Sequence, residues 1–159
     1  MKAARSIVGH ARDRGAVVLV NDRADIARLS GADGVHLGQS DLAPEAARRI
    51  LASSAMIGRS THTMTELEAA AREPVDYIAI GPVFGTSTKV TGHDAVGLAM
   101  VSRAARYGRP VVAIGGITLE TAPSVIAAGA ASVAVIGDLM TGGDPAGRAR
   151  AFVERLSRL

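Results

Sequence analysis

The sequence predicts a parallel α/β fold of the TIM-type (β/α)8 barrel class, with about six βα units. Short apolar runs recur along the 159 residues, and helical segments alternate with them. Runs such as Val17–Val20 are continuously apolar, which is typical of a strand buried on both faces of a parallel sheet. Each run ends in a polar or glycine-rich turn, and such barrels build their sites from the turns that follow strands.

The elements follow one another with short connections, which indicates a parallel sheet crossed right-handedly by helices. Glycines at 15, 31 and 129 follow predicted helices, where a left-handed residue often ends a helix. Helices are expected over about residues 2–14, 23–30, 43–53, 64–72, 97–107, 118–128 and 145–157. Strands are expected over about residues 17–20, 34–37, 55–59, 76–80, 110–114 and 132–136.

The number of predicted strands is smaller than a closed barrel needs. A barrel of this type takes eight strands and about 250 residues. The chain begins with a predicted helix, so we expect a single, incomplete barrel domain over residues 1–159 that lacks the first two strands. Either the chain is a truncated reading of a longer gene, or another subunit covers the gap. An open doubly wound sheet is the alternative.

Composition limits the possible partners. The chain is 48% hydrophobic and 3% aromatic, so its core must consist of Ala, Val, Ile and Leu. No apolar stretch is long enough to suggest a membrane span or a signal peptide. There is no cysteine, which is consistent with a cytoplasmic protein. A net charge of +3, without a basic stripe or interleaved aromatics, argues against nucleic acid and weakly favours anionic small molecules.

Two neighbouring strand ends carry carboxylates. Asn21 and Asp22 follow the first predicted strand, and Asp41 follows the second. Either aspartate could cap the next helix, an interaction worth about 1 kcal/mol. The two carboxylates could instead hold Mg²⁺ together with a substrate diphosphate, because Mg²⁺ prefers hard oxygen ligands and keeps several waters. The residue pattern leaves both interpretations open.

The last two units end in glycine turns. Gly115-Gly116 follows the fifth strand and precedes a helix expected at Thr118, and Ile136-Gly137 follows the sixth strand. A tight turn would explain these glycines. Phosphate sites formed by the final βα turns are frequent in barrels, however, and we favour phosphate binding here. Asp138 is a counterargument, because a carboxylate repels an anion unless it points away.

The longest loop carries Thr86-Ser-Thr-Lys89. A long loop inside a compact domain is frequently functional, and a lysine beside hydroxyls suits a departing phosphate. Ser60 ends the third predicted strand, where it could bind phosphate or cap a helix. His36 is interpreted as a hydrogen-bonded core residue, and a general-base role for His62 has no support from spacing.

Taken together, these motifs resemble the thiamine-phosphate synthase family, and the resemblance covers nearly the whole chain. They are Asn21-Asp22-Arg23, Gly31-Ala-Asp-Gly-Val-His-Leu-Gly-Gln39 with Asp41, Ser60-Thr-His-Thr63, Gly81-Pro-Val-Phe84 with Thr86-Ser-Thr-Lys89, and Ala113-Ile-Gly-Gly-Ile117. The related thiazole tautomerase typically carries a histidine where this chain has Pro82. Pro82, together with Asp41 and Lys89, favours the synthase.

The resemblance implies a transferase of thiamine biosynthesis. It joins hydroxymethylpyrimidine diphosphate to thiazole phosphate, releases pyrophosphate and requires Mg²⁺. Asp22 and Asp41 would bind Mg²⁺, and Ser60 and Lys89 would be the catalytic candidates. The remaining implied contacts are Asn21, with Ser60 and Lys89, on the diphosphate or its pyrimidine, and Thr86, Thr88, Gly116, Ile136 and Gly137 on the thiazole phosphate. The resemblance also implies a homo-oligomer.

Two departures from the family pattern define the alternatives. Nothing in the chain corresponds to the family's Gln-x-Arg-x-x-x-Lys-type segment, and Gly137 stands where a serine is common. The absent segment makes a non-catalytic phosphate-binding relic one alternative to the synthase, and the related thiazole tautomerase, an isomerase, is the other.

Overall fold

Six βα units follow one another in a computed structural model that describes residues 1–85 and 92–159. The strands are β1 (Leu19–Asn21), β2 (Gly34–Leu37), β3 (Met56–Thr61), β4 (Tyr77–Ile80), β5 (Val111–Ile114) and β6 (Ser132–Ala134). The helices are α1 (Lys2–Arg12), α2 (Ala24–Ser30), α3 (Pro44–Ile50), α4 (Met64–Ala70), α5 (Gly97–Ala104), α6 (Ala122–Ala127) and α7 (Pro145–Leu156). Two 3₁₀ helices cover Ala105–Tyr107 and Gly137–Gly143.

The six strands form one parallel sheet in the order in which they occur along the chain. A doubly wound sheet reverses its strand order at a switch point, so this alternative is wrong for the described residues. Crossovers between parallel strands are right-handed as a rule, and when they always step the same way their helices lie on one face of the sheet. Neighbouring helices accordingly contact one another, as α2 does α3 and α6 does α7. This is the winding of a βα barrel.

Side-chain alternation gives the sheet two different faces. Val35, Leu37 and Ile57 are fully buried and face the helices, where fully buried alanines such as Ala27 and Ala47 allow close packing. The core thus consists mainly of aliphatic residues, as the composition predicts. The opposite, inner face carries polar residues such as His36 and Ser60.

The units are joined by a repeated contact at the amino ends of the strands. The residue before β2 and the residue before β4, Asp33 and Asp76, each donate an amide to the carbonyl of the preceding strand segment, at Val18 and Ile57. Each carboxylate then accepts the amide of that same residue, at 2.7 Å and 2.6 Å. Arg48 pairs with Asp76 and also donates to the Pro74 carbonyl at 3.0 Å.

Several boundaries differ from the sequence-based expectation. β1 begins two residues later, and Val17 is exposed. β3 continues to Thr61, so Ser60 lies within a strand rather than after it. The 3₁₀ helix Gly137–Gly143 was not expected. Among the described residues, no helix is both long and apolar enough to cross a bilayer.

The start of the sixth helix was predicted wrongly for an identifiable reason. The expected helix began at Thr118, but α6 begins at Ala122. The Thr118 amide donates to Thr121 Oγ1 at 2.9 Å, and the Thr121 amide donates to Thr118 Oγ1 at 3.3 Å. These reciprocal bonds resemble a capping box, and the Ala122 amide donates to the Thr118 carbonyl at 2.9 Å. Pro123 has no N–H for the Leu119 carbonyl, so regular helical bonding begins only after this turn.

Replacement of Asp76 tests the repeated contact. We expect Asp76→Ala to lower the free energy of unfolding by about 2 kcal/mol, because it removes the acceptor of the Ile57 amide and leaves Arg48 without its partner. Urea denaturation followed by circular dichroism measures the change. Asp13→Ala, at the exposed carboxyl end of α1, is the control and should change stability by less than about 0.5 kcal/mol. Equal effects of the two substitutions would contradict this account of Asp76.

Candidate functional site

A pocket with a volume of about 430 Å³ lies at the carboxyl ends of β3 to β6. Segments that follow four successive strands form its wall, as expected for a site built from βα turns. Among residues 1–85 and 92–159, its lining consists of Ser60, His62, Gly81, Pro82, Gly85, Ile114, Gly115, Gly116, Ile117, Thr118, Ala134, Val135, Ile136, Gly137, Asp138 and Thr141.

The pocket brings together part of the set of residues predicted from the sequence. Ser60, Gly116, Ile136 and Gly137 line it. Asn21, Asp22 and Asp41 belong to the ends of β1 and β2 and are absent from the lining. Thr86, Thr88 and Lys89 lie outside the described residues.

The glycine turn after β5 requires two glycines for steric reasons. Gly115 and Gly116 have φ angles of 96° and 63°, which strongly favour glycine. A Cβ at Gly115 would lie 2.5 Å from Pro82 Cα, and one at Gly116 would lie 2.5 Å from the Gly85 carbonyl oxygen. The turn therefore packs directly against the segment after β4. Because α6 begins only at Ala122, the turn from Thr118 to Thr121 separates the regular helix from Gly116.

Asp138 does not present an uncompensated negative charge to the pocket. Arg148 of α7 binds it in a bidentate manner, with Nε at 2.9 Å and Nη2 at 3.1 Å from its two oxygens. The Leu119 amide also donates to Asp138 Oδ2, at 3.1 Å. The hydrogen bond to Asp138 raises the pKa of the Arg148 guanidinium above its ordinary value. The repulsion that the sequence suggested is thus offset by a fixed cation.

Ser60 is connected to two residues that sequence reasoning did not assign to a site. His36 Nε2 lies 2.8 Å from Ser60 Oγ, and His36 Nδ1 lies 2.7 Å from the Tyr77 hydroxyl. The His36 and Tyr77 rings stack with centroids 5.6 Å apart. His36 is hydrogen-bonded, as the sequence interpretation held, but its partner Ser60 lines the pocket. The strand register places residues 36, 60 and 77 on one face, and the sequence alone carried no signal of that register.

Hydrogen bonds hold both the ring and the amide of His62. Its Nδ1 lies 2.6 Å from the Gly81 carbonyl oxygen, which can only accept, so Nδ1 carries a proton. The His62 amide donates to Glu66 Oε2 at 2.6 Å, and the ring stacks on His93 with centroids 4.1 Å apart. This leaves Nε2 of a neutral His62 as an acceptor at the pocket wall.

The two carboxylates lie at the ends of adjacent strands. The Asp22 amide donates to the His36 carbonyl at 2.8 Å, which ties the end of β1 to β2. Asp41 Oδ2 accepts the Gly38 amide at 2.7 Å, so one of its oxygens closes its own turn. The N-cap residues of α2 and α3 are Arg23 and Ala43, and neither makes a side-chain capping bond.

Two carboxylates at adjacent strand ends are ligands of the type that magnesium uses. No group of three or more acidic, histidine or cysteine side chains suited to a metal occurs in residues 1–85 and 92–159. Mg²⁺ commonly uses one or two carboxylates and completes its shell with water and substrate phosphate. Asp22 and Asp41 would supply those carboxylates.

The sequential parallel sheet, its single layer of helices and the pocket at the carboxyl ends of its strands define a parallel α/β protein wound as a βα barrel. Comparison with known proteins agrees with this class. A family model described as thiamine monophosphate synthase matches residues 1–139. The chain belongs to the thiamine monophosphate synthase family.

Individual relatives give the extent of the similarity. A thiamine-phosphate synthase of Koribacter versatilis is 46% identical over 97% of this chain and 75% of its own length. One of Synechococcus sp. strain WH7803 is 44% identical over 99% of this chain, which spans only 44% of that relative. A solved structure, thiamine phosphate pyrophosphorylase from Pyrococcus furiosus, superposes with a TM-score of 0.89 at 30% identity, over 99% of this chain and 75% of the other.

The packing of the glycine turn can be tested by comparing two glycines of similar backbone conformation. Gly142 has a φ angle of 77°, but a Cβ there would meet no atom within 4 Å. We expect Gly142→Ala to cost about 1 to 2 kcal/mol through backbone strain alone. Gly116→Ala should cost roughly 2 kcal/mol more, since its Cβ would also press on Gly85 and Phe84. Urea denaturation of both variants measures this difference, and equal losses would show that close packing is unimportant at Gly116.

Proposed function

We propose that the chain transfers the hydroxymethylpyrimidine group from its diphosphate to thiazole phosphate, giving thiamine phosphate and pyrophosphate. Membership of the family supports the reaction. The arrangement of the site is the main structural support for this proposal. A glycine-walled pocket contains Gly116 and Gly137, and carboxylates follow the two strands next to those that build it. Such an arrangement offers one place for a phosphate and another for a metal-bound diphosphate.

The thiazole phosphate belongs in the pocket under this proposal. Gly116 and the Ile136-Gly137 backbone line the pocket and leave room for an anion close to main-chain amides. Asp138, also on the wall, is compensated by Arg148. Thr86 and Thr88 would add hydroxyl contacts, as the family resemblance implies.

The diphosphate of the second substrate belongs next to β1 and β2. Asp22 and Asp41 would hold Mg²⁺, which neutralises the charge on the departing pyrophosphate when it is bound. Asn21, Ser60 and Lys89 would contact the diphosphate or the pyrimidine, with Ser60 and Lys89 as the catalytic residues.

The chemistry requires electrostatic stabilisation more than proton transfer. The bond between the pyrimidine methylene carbon and the diphosphate oxygen breaks, and its electron pair leaves with pyrophosphate. The pyrimidine-stabilised cation is then captured by the thiazole nitrogen, which forms the new carbon–nitrogen bond. Fixed donors and cations around the leaving group lower such a barrier. We also propose that the chain acts as a homo-oligomer in the cytoplasm.

Turnover assays with the purified chain distinguish the possible functions. Formation of thiamine phosphate from both substrates with Mg²⁺ is the expected result. Aromatisation of the thiazole tautomer without Mg²⁺ would indicate an isomerase instead. Calorimetric binding of thiazole phosphate without turnover at high enzyme concentration would indicate a phosphate-binding relic. Either of the last two results would overturn the proposal.

Replacement of the two carboxylates tests the metal assignment. We expect Asp22→Asn and Asp41→Asn each to lower Mg²⁺-dependent kcat/KM by roughly 100-fold or more, since electrostatic contacts to a leaving group contribute about 3–4 kcal/mol. The Kd for thiazole phosphate, measured by calorimetry, should change by less than about twofold because neither carboxylate lines its pocket.

The control for these variants is Glu154→Gln, which removes an exposed carboxylate of α7 far along the chain from both strand ends. It should leave turnover and its Mg²⁺ dependence unchanged. Unchanged rates in Asp22→Asn and Asp41→Asn would reject the metal assignment.

A further inference from the structure

The inner face of the sheet holds a chain of three hydrogen-bonding side chains from three neighbouring strands. Tyr77 of β4 contacts His36 of β2, and His36 contacts Ser60 of β3, through bonds of 2.7 Å and 2.8 Å. All three side chains are half-buried, and Ser60 lines the pocket. The proton positions within this chain determine what Ser60 can offer to a ligand.

The Tyr77 hydroxyl is protonated and acts as a hydrogen-bond donor. Burial raises the pKa of Tyr77 to about 12, so the phenol keeps its proton near neutral pH. A half-buried hydroxyl proton needs an acceptor. In the part of the chain that the structure describes, the hydrogen-bonding partner of this hydroxyl is His36 Nδ1. This favours a His36 ring whose Nδ1 is unprotonated and accepts from Tyr77.

The protonation state of Nδ1 determines whether the other ring nitrogen, Nε2, is a donor or an acceptor. A neutral imidazole carries one proton, so an accepting Nδ1 leaves Nε2 as the donor. Nε2 then donates to Ser60 Oγ at 2.8 Å, and the Ser60 hydroxyl proton is left to point elsewhere. In the opposite tautomer Ser60 would donate to His36, and the Tyr77 proton would lose its acceptor.

We infer that His36, oriented by Tyr77, is a positioning residue that presents Ser60 to the pocket as a hydrogen-bond donor. The ligand atom at Ser60 must then be an acceptor, such as a phosphate oxygen or an unprotonated ring nitrogen. The identity of that ligand rests on the proposed function. The His36 tautomer does not, because it is a property of the free protein.

Neighbouring contacts hold the three side chains in place. A Cβ at Gly58 would overlap the Tyr77 ring, so the glycine in β3 makes room for that ring against the sheet. The Gln39 side chain donates to the Ser60 carbonyl at 2.5 Å, which fixes the backbone that carries the hydroxyl. The stacked His36 and Tyr77 rings restrict each other's rotation.

Nitrogen-15 NMR of the histidine-labelled protein tests the tautomer directly, with His36→Gln used to assign the signals. We expect His36 in the free protein to be protonated at Nε2. Tyr77→Phe should shift the ring toward a mixture of tautomers, whereas Tyr107→Phe, at the chain's other and more exposed tyrosine, should not. Protonation at Nδ1 in the unsubstituted protein, or the same tautomer in Tyr77→Phe, would overturn the inference.

A double-mutant cycle tests whether His36 and Tyr77 act through Ser60. We expect Tyr77→Phe to lower kcat/KM by about five- to twentyfold in the native background and by less than twofold in Ser60→Ala. Equal reductions in both backgrounds would indicate a merely structural role and overturn the inference. Absence of turnover in the native chain would refute the proposed function while leaving the NMR result decisive for the tautomer.

Two substitutions of His36 provide a second route if Tyr77→Phe fails to fold. His36→Gln can still donate an N–H to Ser60, whereas His36→Leu cannot. We expect the glutamine variant to retain at least fivefold more activity than the leucine variant at similar thermal stability. Equal activity of the two variants would overturn the positioning role.

Discussion

Parallel pairing of the strands in chain order is the constraint on which the rest of this structure depends. Because every strand runs in the same direction, the turns that follow β3 to β6 meet at one edge and enclose the pocket. The register pairs Asn21 with His36, His36 with Gly58 and Ser60 with Ala79. Residues separated by tens of positions in sequence thereby become neighbours, and His36 and Ser60 come to lie on the same inner face.

Small residues create the space that the site uses. Gly58 makes room for the Tyr77 ring, and Gly115 and Gly116 bring the turn after β5 against the segment after β4. A side chain at any of these positions would move a neighbouring strand or turn, since packed interiors leave little free volume. The pocket thus depends on glycine at these positions as well as on the side chains that line it.

Buried and half-buried ion pairs join the functional edge to the helix layer. Asp138, on the pocket wall, is held by Arg148 of α7. On the other side, Arg59 lies 3.2 Å from Glu73, a close ion pair without hydrogen-bond alignment, and donates to the Gly38 carbonyl at 2.6 Å. Gly38 in turn donates its amide to Asp41. Loss of one partner in such a pair leaves an uncompensated charge, so both partners are needed together.

The sequence by itself determined the alternation of elements, the aliphatic core and the position of a site at the strand ends, because these follow from local periodicity and turn residues. Tertiary structure decided the strand order, which excluded the doubly wound sheet, and the delayed start of α6, where Thr118 and Thr121 bond to each other. It also determined that Arg148 compensates the charge of Asp138 and that His36 contacts Ser60. These depend on partners far away in the chain, and sequence spacing carries no information about which distant side chain fills a given hydrogen bond.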